Sequence, residues 1–160
     1  MPIPDFIVEL RRMVGHTTLW LPGVTAVIRR DGAAGLQLLL VRRADNGEWT
    51  PVTGIPEPGE EPAVGARREA REETCVDITV DRLAQVSAGE QVTHANGDQA
   101  VYLDHTFACT WVGGEAAVGD DESTDVGWYD VAALPPMSPR MRDRIAAALS
   151  DEAAARFVRD

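Results

Sequence analysis

The run Leu36–Val41 constrains the fold more than any other segment of the chain. Five of its six residues are apolar, with Gln37 as the exception. A run of this kind is typical of a strand that is buried on both faces of its sheet. The sequence therefore predicts a strand at Leu36–Arg42 in a sheet that is covered on both sides.

A second strand, Val24–Arg30, is predicted before this one, and the turn residues of 30–35 join the two. Asp5–Val14 has the apolar spacing of a short amphipathic helix, which Gly15 ends. A chain break is expected at Leu21-Pro-Gly, a turn at Asn46-Gly47, a loop at 49–59 and a polar loop at 88–99. Further strands are expected at Ile78–Val80, Leu83–Ser87, Ala100–Trp111 and Val126–Tyr129. The remaining helices are one from Pro62 to about Thr74, one capped by Ser138-Pro139, and a further helical turn from Ser150.

These elements define the expected fold class. Strands and helices interleave, but hairpins predominate over regular βαβ repeats, so we expect an α/β (α+β) fold with a mixed β-sheet and helices on its faces. A chain of 160 residues, 44% of them hydrophobic, suits one domain over 1–160. Residues 1–20 would supply an N-terminal helix and lead-in, and residues 138–160 a C-terminal helix.

Charge and composition argue against several classes of function. The formal net charge of -11 argues against a nucleic-acid partner, because phosphate backbones recruit basic surfaces. No membrane span is expected, since no run of 18 apolar residues occurs, and residues 1–12 lack the features of a signal peptide. Cys75 and Cys109 form neither a CxxC nor a metal-binding spacing, which favours reduced cysteines in a soluble, cytoplasmic protein.

Acidic residues are concentrated between Glu57 and Glu73, where six glutamates fall within 17 residues. On the predicted helix, positions three and four apart share a face, so Glu69, Glu72 and Glu73 can converge on one patch. Carboxylates repel one another at such a patch unless hard cations such as Mg²⁺ bridge them. Arg68 lies four residues before Glu72 and could orient a carboxylate. The alternative is a solvated helix face without function.

The spacing of the charged residues decides between these interpretations. The segment from Gly54 to Val76 reads GIPEPGEEPAVGARREAREETCV. It matches the Nudix box, G-x5-E-x7-R-E-U-x-E-E-x-G-U with U aliphatic, so the chain resembles the Nudix hydrolase family. The likeness extends over most of 24–135 and implies the Nudix α/β/α sandwich. Two positions depart from the pattern: Cys75 replaces the last Gly, where a left-handed backbone would cost about 1 kcal/mol, and Ala70 fills an aliphatic position.

The resemblance implies a role for each box residue. Glu60, Glu69, Glu72, Glu73 and the Gly54 carbonyl would bind Mg²⁺, with Mn²⁺ as a possible substitute. Glu60 would also hold the loop against the helix, and Arg68 would orient a box glutamate. Glu73 and Glu72 are the first choices for the general base. Glu122 is a candidate acid for metal or base, with an acidic surface turn as the equal alternative.

Other side chains carry weaker predictions. His94 is expected to be a solvent-exposed loop histidine, and His105 a hydrogen-bonded core histidine. Trp49 and Tyr102 are expected to pack in the core rather than stack on a base. Arg42 and Arg43 suit either a phosphate contact or a plain charged strand end.

The expected activity is Mg²⁺-dependent hydrolysis of a pyrophosphate bond in a small nucleoside-diphosphate-linked substrate. ADP-ribose or a nucleotide sugar is slightly favoured over a nucleoside triphosphate, because the first helix and strand could form a homodimer contact, as in several enzymes of that type. A non-catalytic Nudix domain that senses a nucleotide or binds a partner is the alternative. Such domains usually lose a charged box position, whereas this chain keeps them all.

Overall fold

The computed structural model describes residues 3–159; Met1, Pro2 and Asp160, at the ends of the predicted domain, lie outside the described residues. The helices are α1 Asp5–Val14, α2 Pro62–Thr74 and α3 Pro139–Leu149, with a short 3₁₀ helix at Val131–Ala133. The strands are β1 Leu19–Gly32, β2 Gly35–Arg43, β3 Trp49–Thr50, β4 Val52–Gly54, β5 Asp77–Ala88, β6 Val92–Thr93, β7 Gln99–Gly113 and β8 Ser123–Asp130. The helices α1 and α2 have the predicted bounds.

The strands form one mixed sheet. Its main path runs β3-β2-β1-β7-β5, with β4 paired to β1, β6 to β7 and β8 to β2. Strands β1 and β7 are parallel, and the other pairs are antiparallel. The expected mixed sheet is thereby confirmed.

Strand β2 is buried on both faces, as predicted. Leu39 and Val41 join the core beneath α2, whereas Leu38 and Leu40 join the core beneath α3. All four side chains are at most 2% exposed. The sheet lies between these two cores, with α2 on one face and α3 on the other. The molecule is therefore a three-layered α/β/α sandwich. A third, smaller cluster packs α1 against the starts of β1 and β7 through Ile7. Among residues 3–159, no helix is both long and apolar enough to cross a membrane.

The predicted chain break at Leu21-Pro-Gly is wrong, because β1 already begins at Leu19. The parallel ladder with β7 starts at the pair Leu19 and Ala100 and runs through Pro22. On the other side of β1, pairing with β4 begins only at Val24. Proline is tolerated in a strand where one side of the ladder is open. Distant pairing with β7 therefore outweighs the local turn signal.

The predictions from local sequence patterns were also wrong about the bounds of other strands. The two predicted strands at 78–80 and 83–87 are one strand, β5, whose register against β7 shifts between Val80 and Arg82 and again between Leu83 and Gln85. Such β-bulges bend a strand without ending it. The predicted loops at 49–59 and 88–99 contain the short strands β3, β4 and β6, which neighbouring strands hold in place.

The C-terminal helix is shorter than predicted. It ends at Leu149, and Ser138 caps its start by accepting a hydrogen bond from the Met141 N–H, as expected. Ser150 has an extended backbone, and no helical turn follows it within the described residues. Instead, Arg156 pairs with β5, donating its N–H to the Ala84 carbonyl and accepting from the Val86 N–H. The open edge of β5 supplies partners that a second helical turn would not have used.

Helix α2 ends at Cys75 in the conformation expected of the missing glycine. Cys75 has φ 60° and ψ 15°, and its N–H donates to the Arg71 carbonyl. It is the one non-glycine residue with positive φ among residues 3–159. The side chain is exposed and forms no disulfide. The cost of this cap therefore lies in the left-handed backbone of a residue that carries a Cβ.

Replacing Cys75 by glycine tests this assignment. Cys75→Gly is expected to raise the free energy of unfolding by about 1 kcal/mol, because glycine adopts positive φ without steric cost. Urea unfolding measures the change. Cys75→Ala is the matched control: it removes the thiol but keeps the Cβ, and it should give no such gain. Equal gains in both variants would trace the effect to the thiol instead.

Candidate active site

The loop between β4 and α2 brings Gly54 against the middle of the helix. A Cβ atom at Gly54 would overlap Cγ and Cδ of Glu69, so only glycine allows this approach. Val24 of β1 pairs with Gly54 and fixes it in the sheet. The Glu69 side chain is 0% exposed as a result. Gly54, the first residue of the predicted box, and Glu69, near the middle of α2, therefore depend on each other through a steric contact.

The guanidinium of Arg68 joins three of the box glutamates. Its Nε and Nη2 donate to the two carboxylate oxygens of Glu60, at 3.0 and 2.9 Å. Its Nη1 donates to Glu69 Oε1 at 3.0 Å and to Glu72 Oε2 at 3.1 Å. The fixed planar fork of arginine suits this two-sided arrangement. Through these bonds Arg68 connects the carboxylates of Glu60, Glu69 and Glu72.

Glu60 ties the loop to the helix. Besides its two bonds from Arg68, its Oε2 accepts the Glu57 N–H at 3.0 Å. The hydrogen bonds from Arg68 lower the pKa of Glu60 below its ordinary value, so it is held ionised. Gly65 allows this carboxylate to lie against α2, since a Cβ there would stand 3.0 Å from Oε2.

Glu69 and Glu73 are buried, and each has a carboxylate oxygen without a partner. Glu73 is 3% exposed. Glu69 Oε2 and Glu73 Oε1 accept no hydrogen bond from the described residues. A buried carboxylate oxygen left in this state costs folding free energy.

The pKa values of these two groups follow from that burial. Loss of hydration, together with the nearby carboxylates of Glu122 and Glu69, raises the pKa of Glu73 to about 9. Burial also raises the pKa of Glu69, to about 7, against the opposing charge of Arg68. Both shifts show that burial disfavours the ionised forms of these two carboxyl groups.

The loop from β7 to β8 brings further acids to the same place. Its backbone caps the C-terminal end of α2: Ala117 donates to the Thr74 carbonyl at 3.1 Å, and Gly119 donates to the Glu73 carbonyl at 2.9 Å. A Cβ at Gly119 would overlap the Glu72 carbonyl oxygen. This contact places Asp120 and Glu122 near Glu73, and both carboxylates raise its pKa. Burial also raises the pKa of Glu122.

A cleft of about 450 Å³ opens beside Glu73 and Glu122. It is lined by the end of β2, the turn that follows it, β3, β4 and the start of β8. The lining side chains are Ile3, Val41, Arg43, Ala44, Asp45, Thr50, Thr53, Glu73, Asp121, Glu122 and Ser123. Sequence reasoning named Arg43, Glu73 and Glu122 but missed Thr50, Thr53 and Ser123, because single hydroxyl residues on short strands have no distinguishing pattern.

The other candidate side chains lie in structural contacts. His105 shares a hydrogen bond with the Gly23 carbonyl through Nδ1, as expected, although it is only half-buried. His94 is also half-buried rather than solvent-exposed, and its Nε2 contacts the Tyr102 hydroxyl at 3.0 Å. Trp49 packs edge-on against Tyr129. In the described part of the chain, none of the candidates His94, Tyr102, His105 and Trp49 lines the cleft.

The expected patch of three carboxylates is not preformed. Among residues 3–159, no three His, Cys, Asp or Glu side chains stand ready to hold a metal ion together. Arg68 holds one oxygen of Glu69 and one of Glu72, whereas Glu73 lines the cleft. The donor chemistry nonetheless fits a hard cation, because the unpaired oxygens of Glu69 and Glu73 are the ligand type that Mg²⁺ takes.

Residues 20–149 match the family model described as NUDIX domain, which covers the sheet, α2 and α3. The chain belongs to the Nudix family. Nudix hydrolases generally use divalent metal ions.

Three similar proteins illustrate the relationship. A "MutT-like protein" of Streptomyces ambofaciens is 36% identical over 102 residues, which are 64% of this chain and 58% of that protein. An "NAD-capped RNA hydrolase NudC" of Pseudomonas fluorescens is 33% identical over 122 residues, 72% of this chain and 38% of that protein. The crystal structure of a MutT NUDIX hydrolase from Burkholderia pseudomallei has a TM-score of 0.59 and 25% identity, covering 81% of this chain and 98% of that one. The chain thus spans less than two thirds of these two sequence relatives.

Glycine 54 offers a steric test of the Nudix box. Gly54→Ala is expected to displace the Glu69 carboxylate and to weaken its bond to Arg68, since the new Cβ needs the space of that side chain. We expect the free energy of unfolding to fall by about 1–3 kcal/mol, as for other overpacked cores. Urea unfolding measures it. Gly113→Ala is the control, because a Cβ there meets no atom within 4 Å; equal losses in both variants would refute the steric account.

The raised pKa values predict the pH dependence of metal-free protein. A carboxyl group whose pKa is higher in the folded state binds more protons there, so stability is fully present below about pH 4.5 and is lost as the pH rises towards 9. With a chelator present, Glu73→Gln should flatten this decline and stabilise the protein at pH 8 by about 1–3 kcal/mol, because it removes a buried, incompletely paired charge. Thermal unfolding from pH 5 to 9 measures the effect. Exposed Glu61→Gln should follow the wild type, and a wild type without any decline would contradict the assignment.

Proposed function

We propose that this Nudix chain is a Mg²⁺-dependent hydrolase that cleaves the pyrophosphate bond of a nucleoside-diphosphate-linked substrate. One observation carries the proposal: the buried, unpaired carboxylate oxygens of Glu69 and Glu73 lie at a site that Arg68 orders, and Glu73 faces a cleft. A fold gains nothing from burying such groups unpaired. The arrangement suits a protein in which cations and phosphate complete the site.

The box supplies the residues that would hold Mg²⁺, or Mn²⁺ in its place. These are Glu69, Glu72, Glu73 and the Gly54 carbonyl, with Glu60 in a supporting position. Bound there, the cation would neutralise charge on the phosphoryl oxygens and lower the pKa of a water nucleophile. Glu60 is already occupied by Arg68 and the Glu57 N–H, so we assign it mainly to orienting Arg68. Arg68 in turn keeps Glu69 and Glu72 in place.

Glu73 is our choice for the general base. It lines the cleft, is buried and has a free oxygen, whereas Glu72 is exposed and bound to Arg68. Because its pKa is raised, Glu73 would accept a proton from water only with a bound cation to stabilise the ionised carboxylate. Glu122, across the same cleft, is the second candidate to accept the proton of the attacking water.

Among substrates, we favour ADP-ribose or a nucleotide sugar slightly over a nucleoside triphosphate. One sequence relative is named as an NAD-capped RNA hydrolase, and NAD contains a pyrophosphate that links two nucleosides rather than a triphosphate. The net charge of -11 disfavours an RNA body as the main contact. We also propose that the chain forms a homodimer through α1 and β1.

Phosphate release across a substrate panel tests the function. The panel contains nucleoside triphosphates, ADP-ribose, sugar nucleotides, NAD and dinucleoside polyphosphates, each with and without Mg²⁺, and products are treated with phosphatase or pyrophosphatase to count their phosphates. We expect metal-dependent cleavage of one class. If the folded protein binds nucleotide but hydrolyses no substrate of the panel, the result would favour a non-catalytic sensing domain.

Substitution of Glu73 tests the assigned site. Glu73→Gln is expected to lower kcat by at least about 100-fold, the usual contribution of a positioned base. Its folded state should persist, as thermal unfolding would show. Glu61→Gln is the matched control, since Glu61 is an exposed glutamate that precedes the same helix. Activity that survives in Glu73→Gln would place the catalytic base elsewhere.

A further inference from the structure

Two buried hydroxyl groups line the cleft without a hydrogen-bond partner. Thr50 is 2% exposed and Ser123 is 5% exposed. Neither Thr50 Oγ1 nor Ser123 Oγ has a partner among the described residues. Buried hydroxyls are normally satisfied, so each unsatisfied one requires an explanation. Both groups line the same cleft as Glu73, which indicates a ligand rather than a packing defect.

The sheet brings the two hydroxyls to opposite sides of one strand end. Thr50 on β3 pairs with Val41, and Ser123 on β8 pairs with Arg43, both on β2. The two residues are 73 positions apart in the sequence, and their pairing with β2 fixes their places in the sheet. Strand-borne groups are positioned more precisely than loop groups. The two hydroxyls therefore form a preorganised pair beside the metal-binding end of α2.

Arg43 adds positive charge to this pair. Its Nε and Nη2 bind Asp45 at 2.9 and 2.6 Å, which fixes the plane of the guanidinium. Its Nη1 takes no part in that ion pair. The side chain lines the cleft together with both hydroxyls. A guanidinium and two hydroxyl donors suit the nonbridging oxygens of a phosphoryl group.

We propose that Thr50, Ser123 and Arg43 form a binding subsite for nonbridging phosphate oxygens of the substrate pyrophosphate. This inference rests on the proposed function and adds to it: the box glutamates would hold the cation, and these three residues would position the pyrophosphate by direct contact. The other ionisable groups of the described lining, Asp45, Glu73, Asp121 and Glu122, are acidic and would repel a phosphoryl group. Among the described lining residues, Arg43 is the one with a positive charge, so the anion would approach beside it.

Variants that remove single hydroxyls test the subsite. Thr50→Val and Ser123→Ala each delete a donor while nearly keeping volume. Methylenediphosphonate with Mg²⁺ serves as a nonhydrolysable pyrophosphate probe, and calorimetry measures its dissociation constant. We expect each variant to bind the probe about tenfold or more weakly, the loss typical of one hydrogen bond to a charged group. Both should unfold at the wild-type temperature or above it, since the deleted groups have no protein partner.

Two controls separate binding from structure. Thr50→Ser keeps the hydroxyl and should bind the probe like the wild type. Thr124→Ala changes the exposed neighbour of Ser123, whose hydroxyl contacts the Arg42 carbonyl, and should leave binding unchanged. For a substrate found in the panel, Thr50→Val and Ser123→Ala should raise KM more than they lower kcat, which a merely structural role would not produce.

The outcomes distinguish this subsite from the proposed function. Wild-type turnover with unchanged probe affinity in both hydroxyl variants overturns the subsite and leaves the hydrolase proposal standing. Weakened probe binding in a chain that hydrolyses no substrate supports the subsite and overturns the hydrolase proposal. A wild type that neither binds the probe nor hydrolyses any substrate overturns both. If Thr50→Val unfolds, Ser123→Ala decides the question against the same controls.

Discussion

The guanidinium of Arg68 is the contact on which the rest of the site depends. It binds both oxygens of Glu60, one of Glu69 and one of Glu72. Through Glu60 it holds the loop before α2, and through Glu69 it holds the side chain against which Gly54 packs. The charge of Arg68 offsets part of the repulsion between the glutamates. Loss of this one group would release the loop and the helix face together.

Arg68 offsets only part of the negative charge of the glutamates at the site. Arg68 satisfies Glu60 fully but leaves one oxygen of Glu69 unpaired, and Glu73 lies beyond its reach in a buried position. Most buried polar groups in proteins are hydrogen-bonded, so two orphan carboxylate oxygens on adjacent turns of a helix are unusual. Proteins accept such costs at functional sites, where a ligand supplies the missing interaction. The same reasoning applies to the hydroxyls of Thr50 and Ser123.

The position of α2 between two backbone contacts explains why the acids meet. Near its middle, the loop from β4 fixes the helix through the contacts of Gly54 with Glu69 and of Glu60 with Arg68. At its end, Cys75 turns the chain away, and the loop from β7 to β8 caps the last carbonyls through Ala117 and Gly119. The second contact carries Asp120 and Glu122 to the side of Glu73. The cleft therefore combines residues from a helix, from loops and from four strands that are widely separated along the chain.

The sequence by itself determined the family, the bounds of α1 and α2, the double burial of β2 and the pairing of Arg68 with its glutamates. These depend on spacing along a single segment, where helical periodicity and steric rules act over a few residues. Tertiary structure alone decided the strand through Pro22, the joining of 77–88 into β5 and the extended chain after Ser150, because distant strands supplied the hydrogen-bond partners. It also decided that Glu73 is buried and that Thr50 and Ser123 meet at one cleft. Burial and convergence depend on what packs against a residue, and no local pattern encodes that.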